Sequence, residues 1–144
     1  MNQPQSPLFT ARIVTGAIAL SVVVLMVIAH VIPGSDANLP DIALWGLSGI
    51  AGAIYLISFI LPPIILKSAL AKLPKDKRSE QAFFAAWFPS HVITLALREA
   101  PAILGFVITF VSLDTSYVIS FGIVSLFLIL KEWPRDDLFD SLSK

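Results

Sequence analysis

The chain has no cysteine among its 144 residues. That excludes a disulfide framework, a thiolate nucleophile and a thiolate metal site. Charge is scarce as well. Asp, Glu, Lys and Arg make up 14% of the residues, against roughly 25% in a soluble domain. Ten basic residues balance ten acidic ones, so no basic footprint for nucleic acid exists. Histidine occurs twice, as His30 and His91. Neither belongs to an H-x-x-x-H spacing or a carboxylate cluster that would hold a metal. Each is expected near a membrane interface, on opposite sides. No glycine-rich loop is placed to cradle a phosphate, because Gly46, Gly49 and Gly52 fall inside an apolar run. There is no internal repeat and no low-complexity tract. The sequence gives no reason to expect a cofactor.

Apolar residues make up 56% of the chain, and the mean hydropathy is +0.83. A soluble domain of this length could not hide so much apolar surface, so lipid must cover part of it. Four windows free of charge, or nearly so, organise the sequence: 13–35, 42–66, about 89–113, and 115–130. A spanning helix needs about 20 mainly apolar residues. The first two windows satisfy this outright. The third does so across an Arg98-Glu99 pair, and the fourth does so with Asp114 and Lys131 at the two interfaces. The pattern predicts an all-α, integral membrane protein with four transmembrane helices. They cover about 9–33, 41–73, 79–112 and 115–132, in one domain, followed by an interfacial tail over 134–144. The first apolar run has 23 residues, longer than the roughly 7 to 15 of a secretory h-region, so it is expected to stay as a helix.

Loop charges set the orientation. Lys67, Lys72, Lys75, Lys77 and Arg78 lie between the second and third helices. The other two connections contain no Lys or Arg. Arg12 flanks one end of the chain, and Lys131 and Arg135 the other. By the positive-inside rule the middle loop and both termini are cytoplasmic, which suits a bacterial inner membrane. Trp45 falls near the outer interface, and Trp87 and Trp133 near the inner one. The middle hairpin is longer than a bilayer requires. Pro62-Pro63 comes about 20 residues into the second helix, roughly 30 Å along it. Residues 64–73 and 79–88 then either extend the hairpin to a turn at 74–77 or lie on the membrane surface, anchored by Phe83, Phe84, Trp87 and Phe88.

Arg98-Glu99 is the anomaly. Residues 81–97 upstream and 100–113 downstream carry no charge. An ionisable residue inside a membrane segment marks a functional-site candidate with a partner to be found. Adjacent helical residues point about 100° apart, so the two do not face each other. Arg98 is expected to snorkel toward the cytoplasmic headgroups. Glu99 has a shorter stem and must be protonated, hydrogen-bonded or paired. Tyr55, Ser58, Lys67, Thr94 or a neighbouring protomer are the partners at its depth. Level with it lies a small-residue face of Gly46, Gly49, Gly52 and Ala53, suited to close helix packing in lipid. Gly105 completes that packing set. Pro101 is expected to kink the third helix and free the carbonyl of Leu97. Ser21, Ser58, Ser120 and Ser125 are expected to bond back to their own helices.

The segment Glu99-Ala100-Pro101-Ala102-Ile103-Leu104-Gly105 resembles the E-A-x-A-I-x-G motif of the rotor-ring proteolipid (c) subunit of rotary ATPases. In that family the motif lies on the second helix of a hairpin with a polar cytoplasmic loop, facing a glycine-rich first helix. The resemblance covers about half of the chain. It implies an ion-carrying carboxylate at Glu99 and close packing at Gly49 and Gly52. The whole chain also resembles small, uncharacterised four-helix bacterial membrane proteins with an L-x-E-x-P-A-x-x-G segment, a likeness that implies no activity.

Two functions follow as expectations. The first is a non-enzymatic structural or accessory subunit that oligomerises or joins a larger membrane complex, with lipid and other membrane chains as its partners. The second is a proteolipid-like proton or sodium site at Glu99. Arg98 beside that carboxyl would favour its ionised form, which opposes a neutral, lipid-facing group.

Overall fold

A computed structural model describes residues 7–32, 34, 40–73, 79–136 and 138. The described residues form four helices: α1 (Pro7–Val31), α2 (Asp41–Ala71), α3 (Glu80–Ser112) and α4 (Ser116–Lys131). Boundaries fall within two residues of those expected. The turn of the middle hairpin and most of the tail lie outside the described residues.

α3 is the central helix. It packs against each of the other three, and α1 also packs along α4. Each outer helix offers α3 a face spaced at three, four or seven residues. α1 buries Ala11, Thr15, Ala19 and Val22. α2 buries Ala51, Ser58 and Pro62. α4 buries Val118, Gly122, Ser125 and Ile129. Such spacing keeps side chains on one helical face. Most of these residues are small, which lets helix axes approach. Ala19, Val22, Leu95, Ala102 and Ile129 form the apolar core, with Ile18, Met26 and Leu126 packed on it.

Large apolar side chains point outward all round. Leu20, Val27, Trp45, Leu56 and Phe127 are each more than half exposed. α1, α2 and α3 are long and apolar enough to cross a membrane. α4 is apolar but has 16 residues, about 24 Å at 1.5 Å per residue.

The prolines do not end the helices. α2 runs on through Pro62 and Pro63, and α3 through Pro89 and Pro101. Residues 64–71 and 80–88 are therefore continuations of α2 and α3 rather than separate surface helices. Phe83 and Trp87 are buried in the bundle. Ser79 caps α3 by accepting the Ala82 amide at 3.2 Å. Leu113 ends it in the left-handed region at φ 59°. Thr109 joins α3 to α4: its hydroxyl donates to the Asp114 carbonyl at 2.9 Å and accepts the Val118 amide at 3.0 Å.

The glycine face is not where α2 meets α3. A Cβ built on Gly46, Gly49 or Gly52 meets nothing within 4 Å, and Ala53 is exposed. At about 100° per residue, Gly46, Gly49 and Ala53 lie nearly opposite the buried Ala51–Ser58–Pro62 line. On the inward line the Pro62 carbonyl accepts the Ser90 hydroxyl of α3 at 2.8 Å. Gly105 does pack closely. Its Cβ would come within 2.9 Å of both the Tyr117 carbonyl and the Phe121 ring on α4.

This contrast yields a test by thermal denaturation in detergent. Gly105→Ala should cost about 1–3 kcal/mol through overpacking against backbone. In the dissociated single chain Gly49→Ala should be neutral or stabilising, since alanine is the better helix former by up to about 1 kcal/mol. A second test concerns pH. The Ser116 hydroxyl and amide hold the exposed Asp114 carboxyl below its usual range. A depressed carboxylate adds stability above its unfolded pKa of about 3.9. That contribution disappears as pH falls through the lower folded value. Asp114→Asn should flatten this acid limb in melting curves taken from neutral pH downward.

Candidate functional site

The charged pair separates, as the helical geometry requires. Arg98 turns into the bundle and Glu99 turns toward α1. Arg98 is buried within the bundle, at 4% exposure, rather than extended from its surface. Its Nη1 donates to the Leu128 carbonyl at 2.8 Å and to Glu132 Oε1 at 2.9 Å. The Phe59 ring lies 5.4 Å from its Cζ, within cation–π range. Its Nε is buried with no acceptor. Removing a guanidinium from water costs several kcal/mol, so its partners must be held firmly in place. Glu132 follows the last turn of α4, which positions it at this depth.

Around Arg98 lies a cavity of about 290 Å³ between α2, α3 and the end of α4. Ser58, Phe59, Pro62, Ser90, His91 and Thr94 contribute to its wall. Its hydroxyl protons are already committed. Ser58 donates to the Tyr55 carbonyl, Ser90 to Pro62 and Thr94 to Ser90, at 2.7–2.8 Å. The hydroxyls therefore present lone pairs. Pro62 and Pro63 lack the amides that would bond the carbonyls of Ser58 and Phe59. Arg98 supplies the charged donor in this acceptor-rich wall.

His91 lies in the interior of the bundle. It is buried, and its ring stacks on Trp87 with centroids 4.4 Å apart. Nε2 lies 2.9 Å from the Thr15 hydroxyl on α1. That hydroxyl has one proton and donates it to the Ala11 carbonyl at 2.9 Å. His91 Nε2–H must therefore be the donor, leaving Nδ1 of the neutral ring as an acceptor. Tyr55 is assigned in the same way. Its hydroxyl donates to the Phe121 carbonyl, so Ser125 donates to the tyrosine oxygen, both at 2.8 Å. Ser125 thus bonds across to α2 rather than back to its own helix. His30, at the far end of α1, bonds to the Met26 carbonyl one turn earlier, at 2.8 Å.

Glu99 has a different partner from any expected. Its Oε1 meets the Ser21 hydroxyl on α1. Tyr55, Ser58 and Thr94 are engaged elsewhere, as above. The Ser21 hydroxyl also lies 2.7 Å from the Ile18 carbonyl, so one proton faces two acceptors. The carboxyl sits half-buried in an apolar groove lined by Ala17, Leu20, Val24, Leu25 and Ile103. Glu99 and the α2 glycines are on different sides of α3.

The sequence points to Arg98 and Glu99 but not to Glu132 or Thr15, and it gives Ser21 its own-helix bond to Ile18 without the contact to Glu99. Glu132 lies just past the fourth apolar window, where periodicity gives no reason to single it out. A buried cation on α3 required a carboxylate at its own depth. Glu132 is the candidate that an up-down bundle returns to that end. Among the described residues no group of three or more His, Asp or Glu could hold a metal. Comparison with family models, with curated proteins and with solved structures finds no match to this chain.

The pair predicts an asymmetric mutational response. Glu132→Gln removes the countercharge from a buried cation and should cost about 1–3 kcal/mol. Arg98→Met should cost less, because Glu132 is 39% exposed and recovers solvent. The double replacement should recover much of the loss, since an apolar pair of similar volume often equals a buried ion pair. A double-mutant cycle on detergent melting temperatures measures the coupling.

Proposed function

We propose that this chain is a non-enzymatic integral membrane subunit that pairs with a second copy through the outward face of α2. One observation carries the reading: Gly46, Gly49 and Gly52 leave open space where a partner backbone would fit. Small residues spaced at three and four promote helix association in lipid, where apolar burial gives no driving force. Polar pairs such as His91–Thr15, Ser90–Pro62 and Tyr55–Ser125 hold helices together, as a structural subunit requires. The partner is a second copy because isologous pairs are the commonest assemblies.

The same reading places all four helices across a bacterial inner membrane, with both termini cytoplasmic. Arg12 bonds to the Pro134 carbonyl at 3.2 Å and to Asp136 at 2.7 Å. This ties the start of α1 to the chain after α4. Arg12, Lys131 and Arg135 thus share one end, and a basic end faces the cytoplasm. Asp41 and Asp114 flank the other end without a basic residue between α1 and α2 or between α3 and α4.

A second reading has its own support. The proteolipid-like expectation was opposed by Arg98 beside the carboxyl. Arg98 is turned away to Glu132, which removes that objection. Glu99 faces an apolar groove, and the Ser21 proton is contested by two acceptors. A protonated Glu99 would donate to Ser21 and leave Ile18 its bond. This arrangement suits an ion-binding carboxyl at the lipid face.

The native chain has no cysteine, so single cysteines report contacts cleanly. Gly49→Cys should give an oxidised dimer in membranes, and the buried Gly105→Cys should not. A monomer in both cases overturns the α2 pairing. For the second reading, carbodiimide should label Glu99 in intact membranes, and sodium or high pH should block it. Labelling unchanged in Glu99→Gln removes the assignment.

A further inference from the structure

A second cavity adjoins the one around Arg98. It measures about 300 Å³ and is lined by Trp87, Lys131, Glu132, Trp133, Pro134, Arg135 and Leu138. Trp87 and Glu132 belong to both cavities. Together the two walls carry three cations, Arg98, Lys131 and Arg135, against one carboxylate, Glu132. The nearby Arg12 and Asp136 neutralise each other. The surplus is positive. Within it Arg98 Nε has no acceptor, and a buried unsatisfied donor on a charged group is costly.

The position of this surplus selects the ligand. The apolar run of α4 ends at Lys131, where Trp133 follows. Tryptophan beside the end of an apolar helix marks headgroup depth. The inner wall also has an apolar side formed by Phe59, Pro63 and Leu66. A phosphate next to an acyl chain matches both halves.

We infer that the joined cavities bind the phosphate headgroup of an anionic membrane lipid, with Arg98 as the inner anchor. A phosphoryl oxygen accepts from the Arg98 guanidinium, whose Nε has no other acceptor among the described residues, while Lys131 and Arg135 balance the charge from the rim. The acyl chain follows Phe59, Pro63 and Leu66 on α2. Basic pockets between helices at the membrane face select acidic headgroups in this way. Arginine suits the role because its donors are fixed in a plane that matches phosphate oxygens. Glu132 then competes with the lipid for the guanidinium and sets the affinity. The inference rests on membrane insertion and is independent of pairing through α2.

Insertion is tested first, by alkaline extraction of membranes. A chain that washes out overturns the membrane reading itself. The purified, detergent-solubilised protein is then titrated with phosphatidylglycerol, phosphatidylcholine and inorganic phosphate, with thermal shift as the readout. Phosphatidylglycerol should raise the melting temperature at concentrations where phosphatidylcholine and phosphate do not. The exposed double variant Lys131→Gln, Arg135→Gln should bind phosphatidylglycerol about thirtyfold more weakly. Glu132→Gln should bind it more tightly than the native chain, although less stable without lipid. A purely structural ion pair would leave lipid binding unchanged in Glu132→Gln. Equal responses to the two lipids, or an undiminished response in the double variant, overturn the site. A shift from inorganic phosphate equal to that from phosphatidylglycerol overturns the lipid as its source.

Discussion

The guanidinium of Arg98 constrains the interior of the bundle more than any other group. A charge withdrawn from water requires partners of fixed geometry. Those partners come from three elements: the Leu128 carbonyl on α4, Glu132 just beyond it, and the Phe59 ring on α2. The arginine therefore fixes how far α4 descends along α3 and keeps α2 alongside. In a membrane this matters more than in water. Lipid is as apolar as leucine, so burying Leu95 or Ile129 does not by itself bring helices together. Close packing of small residues and a few polar contacts must do so.

The polar contacts are distributed accordingly. His91 and Thr15 join α3 to α1, and Tyr55 and Ser125 join α2 to α4. Ser90 and the Pro62 carbonyl join α3 to α2. Each joint consumes a hydroxyl proton or a ring N–H that would otherwise be unsatisfied. The prolines of α2 belong to the same economy. Pro62 offers its carbonyl to Ser90 while remaining inside a continuous helix. A residue that looks like a helix breaker in sequence acts here as a contact point.

The bundle has two chemically distinct sides. On the side of α2 and α4, Arg98 and its surroundings make a polar, cationic recess. On the side of α1, Glu99 lies in an apolar groove with one hydroxyl for company. Neighbours in the chain, the two residues are separated by a helix. Their proximity in sequence suggested a shared environment in which the cation would keep the carboxyl ionised. The fold instead gives each an environment suited to its own chemistry.

Helix number, type and approximate limits were legible in the sequence, because long charge-free windows carry their own signal. The divergence of Arg98 and Glu99 was also legible, since 100° per residue is a property of any helix. Partner identity was not. Depth matches Glu99 to Tyr55, Ser58, Lys67, Thr94 or a neighbouring protomer, but depth ignores which helix stands on which side of α3. The glycines of α2 looked like an internal seam because spacing shows that residues share a face without showing what that face meets. Glu132 went unremarked because it lies beyond the apolar window and only the fold returns it to the depth of Arg98. Local periodicity and composition by themselves determined the helices and their membrane-like surface. The rotation of each helix about its own axis, and with it every polar pairing, was decided by tertiary packing, where contacts between residues distant in sequence compete for the same few donors.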